Sequence, residues 1–186
     1  LEWFRENRDQ YEARGVAWRR GHLYEGPPGT GKSAMADVIA SHFDLDLFVI
    51  NVASSYCDDE TLTRAFRSTE GESVILLEDV DCLFDESRDK GGTSKVTLQC
   101  LLTLLSGPLS AEGRIVLMTA NNPDVLDEAL LREGRVDQRF GFTYATRSML
   151  RRYYTNFFAD DPEDPGEMMR EDAEAFAERL PEGEIA

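Results

Sequence analysis

The feature that most restricts the fold of this chain is a glycine-rich octapeptide, GPPGTGKS, at residues 26–33. A short stretch predicted as a strand, residues 22–25, precedes it, and apolar residues at helical spacing follow it. Glycines let backbone N–H groups turn inward around phosphate oxygens, and the N-terminus of the following helix favours negative charge. Because strand, loop and helix occur in the order that a phosphate-binding loop requires, the sequence predicts a phosphate site.

Within this phosphate loop, Lys32 is expected to reach the β- and γ-phosphates of a nucleotide, and the Ser33 hydroxyl to ligate Mg²⁺. The alternative is a chance glycine-rich turn, against which the flanking strand and helix argue. The predicted phosphate-loop residues are Gly26, Pro27, Pro28, Gly29, Thr30, Gly31, Lys32 and Ser33.

Further apolar runs indicate the fold class. They recur at residues 45–52, 74–77 and 115–118, separated by segments long enough for crossover helices. Continuous apolar strands that alternate with helices indicate an α/β fold whose parallel sheet is covered on both faces. The polar segment at residues 85–95 predicts an exposed loop, and the pattern beyond Phe142 is helical.

Two carboxylates follow the apolar strand of VILLEDVD, residues 74–81, at the end where open α/β sheets bind their ligands. Glu78 is expected to hold the Mg²⁺ ion, and Asp79 to orient or deprotonate an attacking water. Carboxylates at this position also serve as helix N-caps, which is the structural alternative. Following a phosphate loop, the pair instead predicts a metal ligand and a general base.

A third candidate region follows the strand IVLMT. Asn121 could hydrogen-bond both a γ-phosphate and the lytic water, although Asn-Asn-Pro is also turn-forming chemistry. Arg132 and Arg135 flank Gly134 and place two guanidinium groups on a short loop. A guanidinium group is planar and permanently charged, so it can stabilise the charge that develops on a transferring phosphoryl group. Such arginines, when another subunit supplies them, tie hydrolysis to assembly.

The charge balance restricts the partners. With 36 acidic and 20 basic residues the net charge is -16, which repels a phosphate backbone and argues against nucleic-acid binding. A local basic cluster, Arg14, Arg19 and Arg20, is interpreted as surface or interface groups. Three cysteines without metal-ligand spacing indicate an intracellular, reducing compartment, and no run approaches the roughly 20 apolar residues of a membrane span.

Taken in order, GPPGTGKS, VILLEDVD, TANNPDVLDEALL and LREGRVD resemble the AAA ATPase family over most of residues 12–146. Within that family, RGVAWRRGHLYEGPPGTGKS, the Glu-Asp order of LLEDVD, and FTYATRS most resemble one subgroup. It comprises the mitochondrial chaperones that insert the Rieske protein during assembly of respiratory complex III, together with their AAA paralogues.

The resemblance implies a five-stranded parallel sheet in the order 5-1-4-3-2, within a nucleotide-binding core over residues 1–145. It implies a partial helical lid with an acidic tail over residues 146–186. It further implies ATP and Mg²⁺ as cofactors, a homo-oligomeric ring, and a protein client. A membrane helix and a client-handling domain are expected ahead of residue 1, which corresponds to the mitochondrial inner membrane with this domain in the matrix.

Carried over by residue, the resemblance makes Glu78 and Asp79 the acidic pair and Asn121 a sensor of the nucleotide. It makes Arg132 and Arg135 arginine fingers that act in trans. Adenine is expected to rest near Val16 and Ala17, just ahead of the first strand.

The sequence also departs from the family pattern. The usual acidic order is Asp-Glu, Glu25 replaces an apolar or aromatic residue before the phosphate loop, and Glu133 stands where proline is common. Because an Asp base is shorter by one methylene, one alternative is a nucleotide-gated assembly switch with negligible hydrolysis. Another is a DNA-associated AAA ATPase, against which the net charge of -16 argues.

Overall fold

A computed structural model describes residues 1–69, 71–84, 95–106, 112–181 and 183–184 of the chain. The loop predicted at residues 85–95 therefore lies outside the described residues, apart from Lys95. That residue is exposed and forms an isolated parallel bridge with Asp58.

Five strands form one sheet in which every neighbouring pair is parallel. Their order is β2-β3-β4-β1-β5, which is the order 5-1-4-3-2 counted from the other edge, so the predicted topology is confirmed. The strands are β1 (Arg20–Glu25), β2 (Asp46–Asn51), β3 (Ser73–Glu78), β4 (Ile115–Ala120) and β5 (Gln138–Gly141).

The apolar sequences of the central strands β3 and β4 explain why these strands are buried. All six residues of β4 are buried, as are the first five of β3, because a sheet covered on both faces needs continuous apolar runs. The predicted strand IVLMT ends at Thr119, whereas β4 continues one residue further to Ala120, which is also buried. At the edge of the sheet, β2 is more exposed than these two.

Helices precede, connect and follow the strands along the chain. The mixed aromatic and charged residues at the start of the chain would fit one amphipathic helix, but they form two short helices that meet at Asn7, whose backbone φ of -117° is not helical. The Asp58 carboxylate caps α4 by accepting the N–H of Thr61. The helices are α1 (Glu2–Glu6), α2 (Arg8–Ala13), α3 (Lys32–Phe43), α4 (Asp59–Ser68), α5 (Leu98–Ser106), α6 (Arg147–Phe158) and α7 (Gly166–Arg179).

The core on one face of the sheet contains apolar side chains from β1, β3, β4, α4 and α5. A fully buried arginine, Arg114, lies beside it and donates hydrogen bonds to Phe66 O, Thr69 O and Thr69 Oγ1 at 2.7–3.0 Å. Burial lowers the pKa of Arg114. Its guanidinium joins the start of β4 to the C-terminal end of α4.

The chain divides into two compact units. The first comprises Leu1–Gly26 and Gly31–Gly141, and the second Pro27–Thr30 and Phe142–Ala186. In the second unit α6 packs against α7 through the rings of Tyr154 and Phe176, 5.1 Å apart, and through an Arg151–Glu174 ion pair. No helix in the described part of the chain is both long and apolar enough to cross a bilayer.

Acid should destabilise the fold through His22, which is 3% exposed against the rings of Tyr24 and Phe140. Neither ring nitrogen has a hydrogen-bond partner among the residues described, and burial lowers the pKa of His22 from 6.5 to about 4. Across that window the unfolded chain binds a proton that the folded chain does not. The free energy of unfolding should therefore fall with falling pH, by up to about 3 kcal/mol.

Urea unfolding between pH 7 and pH 4, on the wild type and His22→Met, measures this contribution. The variant should lose that part of the acid dependence. The matched control, His42→Met, changes an exposed histidine and should keep it. Equal pH slopes for the wild type and His22→Met would contradict the expectation.

Candidate nucleotide-binding site

The phosphate loop runs from the end of β1 to the start of α3. Gly29 and Gly31 have φ values of 82° and 92°, a region that residues with side chains rarely adopt. The Thr30 hydroxyl donates to Pro27 O at 2.8 Å. Gly31 is the N-cap of α3, so the loop leads directly into the helix N-terminus.

Lys32 is only 6% exposed. Its ammonium donates to Gly26 O at 2.8 Å and to Asn121 Oδ1 at 2.9 Å. Burial lowers the pKa of Lys32, while the nearby carboxylates of Asp79 and Asp81 act in the opposite direction. A desolvated cation that donates to neutral oxygens is suited to receive a polyanion.

The two adjacent carboxylates have different partners. The Ser33 hydroxyl donates to Glu78 Oε1 at 2.7 Å. The Asn121 amide donates to Asp79 Oδ1 at 2.9 Å. Asp79 has a left-handed backbone, with φ 55° and ψ 46°, and its N–H donates to Thr119 Oγ1 at 3.1 Å. This turn separates the two side chains, one toward Ser33 and one toward Asn121.

These residues meet because three neighbouring parallel strands end at one edge of the sheet. β3 ends at Glu78, β4 ends just before Asn121, and β1 ends just before Gly26, whose N–H donates to Ala120 O at 3.1 Å. The structure therefore brings together six residues that the sequence predicted as site residues: Gly26, Lys32, Ser33, Glu78, Asp79 and Asn121.

Sequence reasoning missed Asp81. Its Oδ2 atom accepts the N–H groups of Asn121 at 3.2 Å and Asn122 at 2.9 Å, so it fixes the backbone that carries the Asn121 side chain. The available signal was the third carboxylate of EDVD, two residues after Asp79. Asp81 lies on a 3₁₀ turn, Val80–Leu83, that follows the acidic pair.

The arginine loop, residues 132–136, lies elsewhere. Arg132 is exposed and its guanidinium has no hydrogen bond to any residue that the structure describes. Arg135 donates to Ser106 Oγ at 3.1 Å and Ala129 O at 2.5 Å. The loop is held against Gly21, near the start of β1, and Gly26 follows five residues later, about 17 Å along an extended strand. The structure thus keeps both arginines away from their own phosphate loop.

The predicted adenine contacts, Val16 and Ala17, also precede the amino end of β1. They line a cavity of about 480 Å³ together with Arg19, Glu133 and other residues of that edge. Val16 and Ala17 precede β1 in the chain, whereas Gly26 follows it, and their contact with adenine stays a prediction.

A glycine-rich loop after one strand of a parallel sheet, with paired carboxylates ending a nearby strand, defines a P-loop nucleotide-binding domain. Residues 22–144 match the ATPase family associated with various cellular activities (AAA). The chain belongs to the AAA ATPase family.

Three individual proteins show which members of the family this chain is similar to. The probable mitochondrial chaperone bcs1 of Schizosaccharomyces pombe is 38% identical over 163 residues, which cover 86% of this chain and 36% of that protein. The human mitochondrial chaperone BCS1 is 35% identical over 166 residues, covering 85% of this chain and 39% of that protein. An AAA-ATPase of Arabidopsis thaliana is 35% identical over 170 residues, with coverages of 87% and 34%. The chain thus spans little more than a third of these relatives.

Removing the Asp81 carboxylate should release the Asn121 segment. In Asp81→Ala, the amides of Asn121 and Asn122 lose their acceptor and should exchange with solvent several-fold faster, measured by NMR hydrogen exchange. Asp81→Asn keeps an acceptor oxygen and is the matched control. Unchanged exchange in Asp81→Ala would show that the carboxylate does not hold this segment.

Proposed function

We propose that this chain is the Mg²⁺-dependent, ATP-hydrolysing motor domain of a ring-forming AAA chaperone that remodels or translocates a protein client. The observation that carries the proposal is one set of hydrogen bonds. Lys32 donates to Asn121 and Asn121 donates to Asp79, while Ser33 donates to the neighbouring Glu78. These are the groups that phosphoryl transfer to water needs in one place.

The donor set fits Mg²⁺ and ATP. Mg²⁺ is commonly bound by one or two protein oxygens together with substrate phosphates and waters, and Ser33 and Glu78 supply two oxygens 2.7 Å apart. The loop amides and the Lys32 ammonium would hold the triphosphate.

The bound metal would supply charge neutralisation at the phosphates. Metal binding and activation of the attacking water would fall to different residues of the chain, and the contacts of these residues support that assignment. Glu78 accepts from Ser33 and belongs to the metal side. Asp79 accepts from Asn121 and is free of Ser33, which suits a group that orients the attacking water and takes its proton. Asn121, bonded to both Lys32 and Asp79, would relay the presence of the phosphate to the base.

The placement of the arginine loop supports assembly as a homo-oligomeric ring. Arg132 lies at the other end of β1 from its own phosphate loop and has an exposed guanidinium. It would therefore reach the γ-phosphate held by a neighbouring copy. A contact between opposite ends of identical subunits is head-to-tail, and such contacts generate rings when the rotation closes. Arg135, which is bonded to Ser106 and Ala129, would shape the loop as well as add charge.

The relatives named as mitochondrial chaperones support a protein client and a mitochondrial location. The net charge of -16 disfavours a nucleic-acid partner. Because the chain spans only 36% and 39% of those relatives, the client and the location are proposed for the whole protein to which this motor domain belongs.

Two substitutions separate binding from hydrolysis. Lys32→Ala should abolish Mg-ATP binding, because the phosphates lose their buried cation. Asp79→Asn should bind Mg-ATP within about twofold of wild type and hydrolyse it about 10²- to 10⁴-fold more slowly, because the general base is lost. Calorimetry and a phosphate-release assay measure the two quantities, and Lys95→Ala, at an exposed lysine, is the control.

If assembled wild type binds Mg-ATP but turns over far below about 1 per second, and Asp79→Asn equals it, the chain is a nucleotide-gated assembly switch. Failure of wild type to take up Mg-ATP would refute nucleotide binding itself.

Mixing tests the trans arrangement. Arg132→Ala should bind ATP normally and hydrolyse it at least tenfold more slowly, because the neighbour's phosphate loses its guanidinium. Adding Lys32→Ala subunits, which bind no ATP but carry an intact Arg132, should restore part of the activity. ATPase activity of wild type should also rise with protein concentration. If the Arg132→Ala variant is fully active, or if mixing does not change its activity, Arg132 does not act on the nucleotide of a neighbouring subunit.

A further inference from the structure

Strands β1 and β5 are neighbours, and each carries one of the two functional loops. The phosphate loop follows β1, and the arginine loop precedes β5. The strands pair in parallel, with Leu23 opposite Arg139 and Glu25 opposite Gly141. Side-chain bonds connect the two strands near both ends.

At the amino end, Asp137 clamps the arginine loop to β1. Its Oδ2 atom accepts the N–H of Gly21 at 2.8 Å, and its Oδ1 atom accepts the N–H of Gly134 at 3.2 Å. Its own N–H donates to Gly21 O at 2.8 Å. The contact is close, because a Cβ atom on Gly21 would lie 1.8 Å from Arg135 O. Only glycine lets the loop approach the strand this way.

At the carboxyl end, Arg139 holds Glu25, the residue directly before the phosphate loop. Its Nε and Nη2 atoms donate to Glu25 Oε2 at 3.0 and 2.7 Å. The Arg139 side chain is 47% exposed and that of Glu25 is 20% exposed. A pair this accessible contributes little to stability, whereas two N–H bonds from one planar guanidinium restrict orientation.

We propose that Glu25 and Arg139 are positioning residues that couple the arginine loop of a subunit to its own phosphate loop. The route from Asp137 to Gly26 through this pair passes over Gln138, Arg139 and Glu25. A shift of the arginine loop, when it engages a neighbour's nucleotide, moves β5 and displaces Glu25. Occupancy of one site thereby biases nucleotide affinity in the next. The consequence in a ring rests on the proposed function, but the link itself belongs to the single chain.

The link is tested first without nucleotide, by hydrogen exchange with mass spectrometry on wild type, Glu25→Gln, Arg139→Gln and the double variant. Each single variant should speed exchange at least threefold in peptides covering both residues 26–33 and residues 132–137. The double variant should match the singles, because two residues in one contact are not additive. Arg8→Gln, which breaks the exposed Arg8–Glu112 pair, is the control and should leave both peptides unchanged.

Exchange that changes in only one of the two loops, or in neither, would overturn the link. So would effects of the single variants that add in the double. These outcomes do not depend on ATP, so they are separable from failure of the proposed function.

The ring consequence is measured as cooperativity of ATP hydrolysis. Wild type should have a Hill coefficient above 1. Glu25→Gln and Arg139→Gln should lower it toward 1, with kcat changing less than twofold, which a general loss of structure would not do. The exchanged pair, Glu25→Arg with Arg139→Glu, should restore cooperativity. Equal Hill coefficients in wild type and single variants would refute coupling between sites. If the wild type hydrolyses no ATP but the single variants still change hydrogen exchange in both loops, only the motor function is refuted.

Discussion

A buried ammonium is the constraint on which the site depends. Lys32 is withdrawn from water at the edge where β3, β4 and β1 end, and burying a charge is costly unless polar groups surround it. The compensation comes from different strands, as Gly26 O follows β1 and Asn121 Oδ1 follows β4. The carboxylate of Asp79, after β3, adds a favourable field. Strand register, loop conformation and side-chain placement are therefore mutually dependent, since a slip in one strand would remove one of the groups that compensate the cation.

Much of this arrangement was predictable because simple physical signals carry it. Apolar runs that alternate with helices predicted a parallel sheet, and the carboxyl ends of neighbouring parallel strands share one edge, so Glu78, Asp79 and Asn121 were expected near the phosphate loop. Two features had only a weak signal. Asp81 acts on backbone N–H groups, so the presence of its carboxylate in EDVD does not by itself reveal its role. The break at Asn7 is a local backbone choice within a periodic apolar pattern that one helix would also satisfy.

The two arginines show where resemblance alone is too coarse. The sequence presents Arg132 and Arg135 as an equivalent pair around Gly134. The structure separates them, because Arg135 is bonded to Ser106 and Ala129 whereas Arg132 is exposed. The contact of Val16 with adenine stays a prediction, since Val16 precedes β1 in the chain and the phosphate loop follows it.

The separation of the two loops along β1 has a consequence for incomplete assemblies. If the arginines act in trans as proposed, each copy holds half of two different sites, one half at each end of the strand. Under the proposed trans arrangement, an open row of n copies contains n − 1 complete sites, because the terminal copies each leave one half unmatched. Closing the row adds a site without adding a subunit. The rate of ATP hydrolysis per subunit is then higher in a closed ring than in an open row. A subunit that lacks a functional phosphate loop or arginine loop inactivates only one of the sites between neighbours and leaves the others intact.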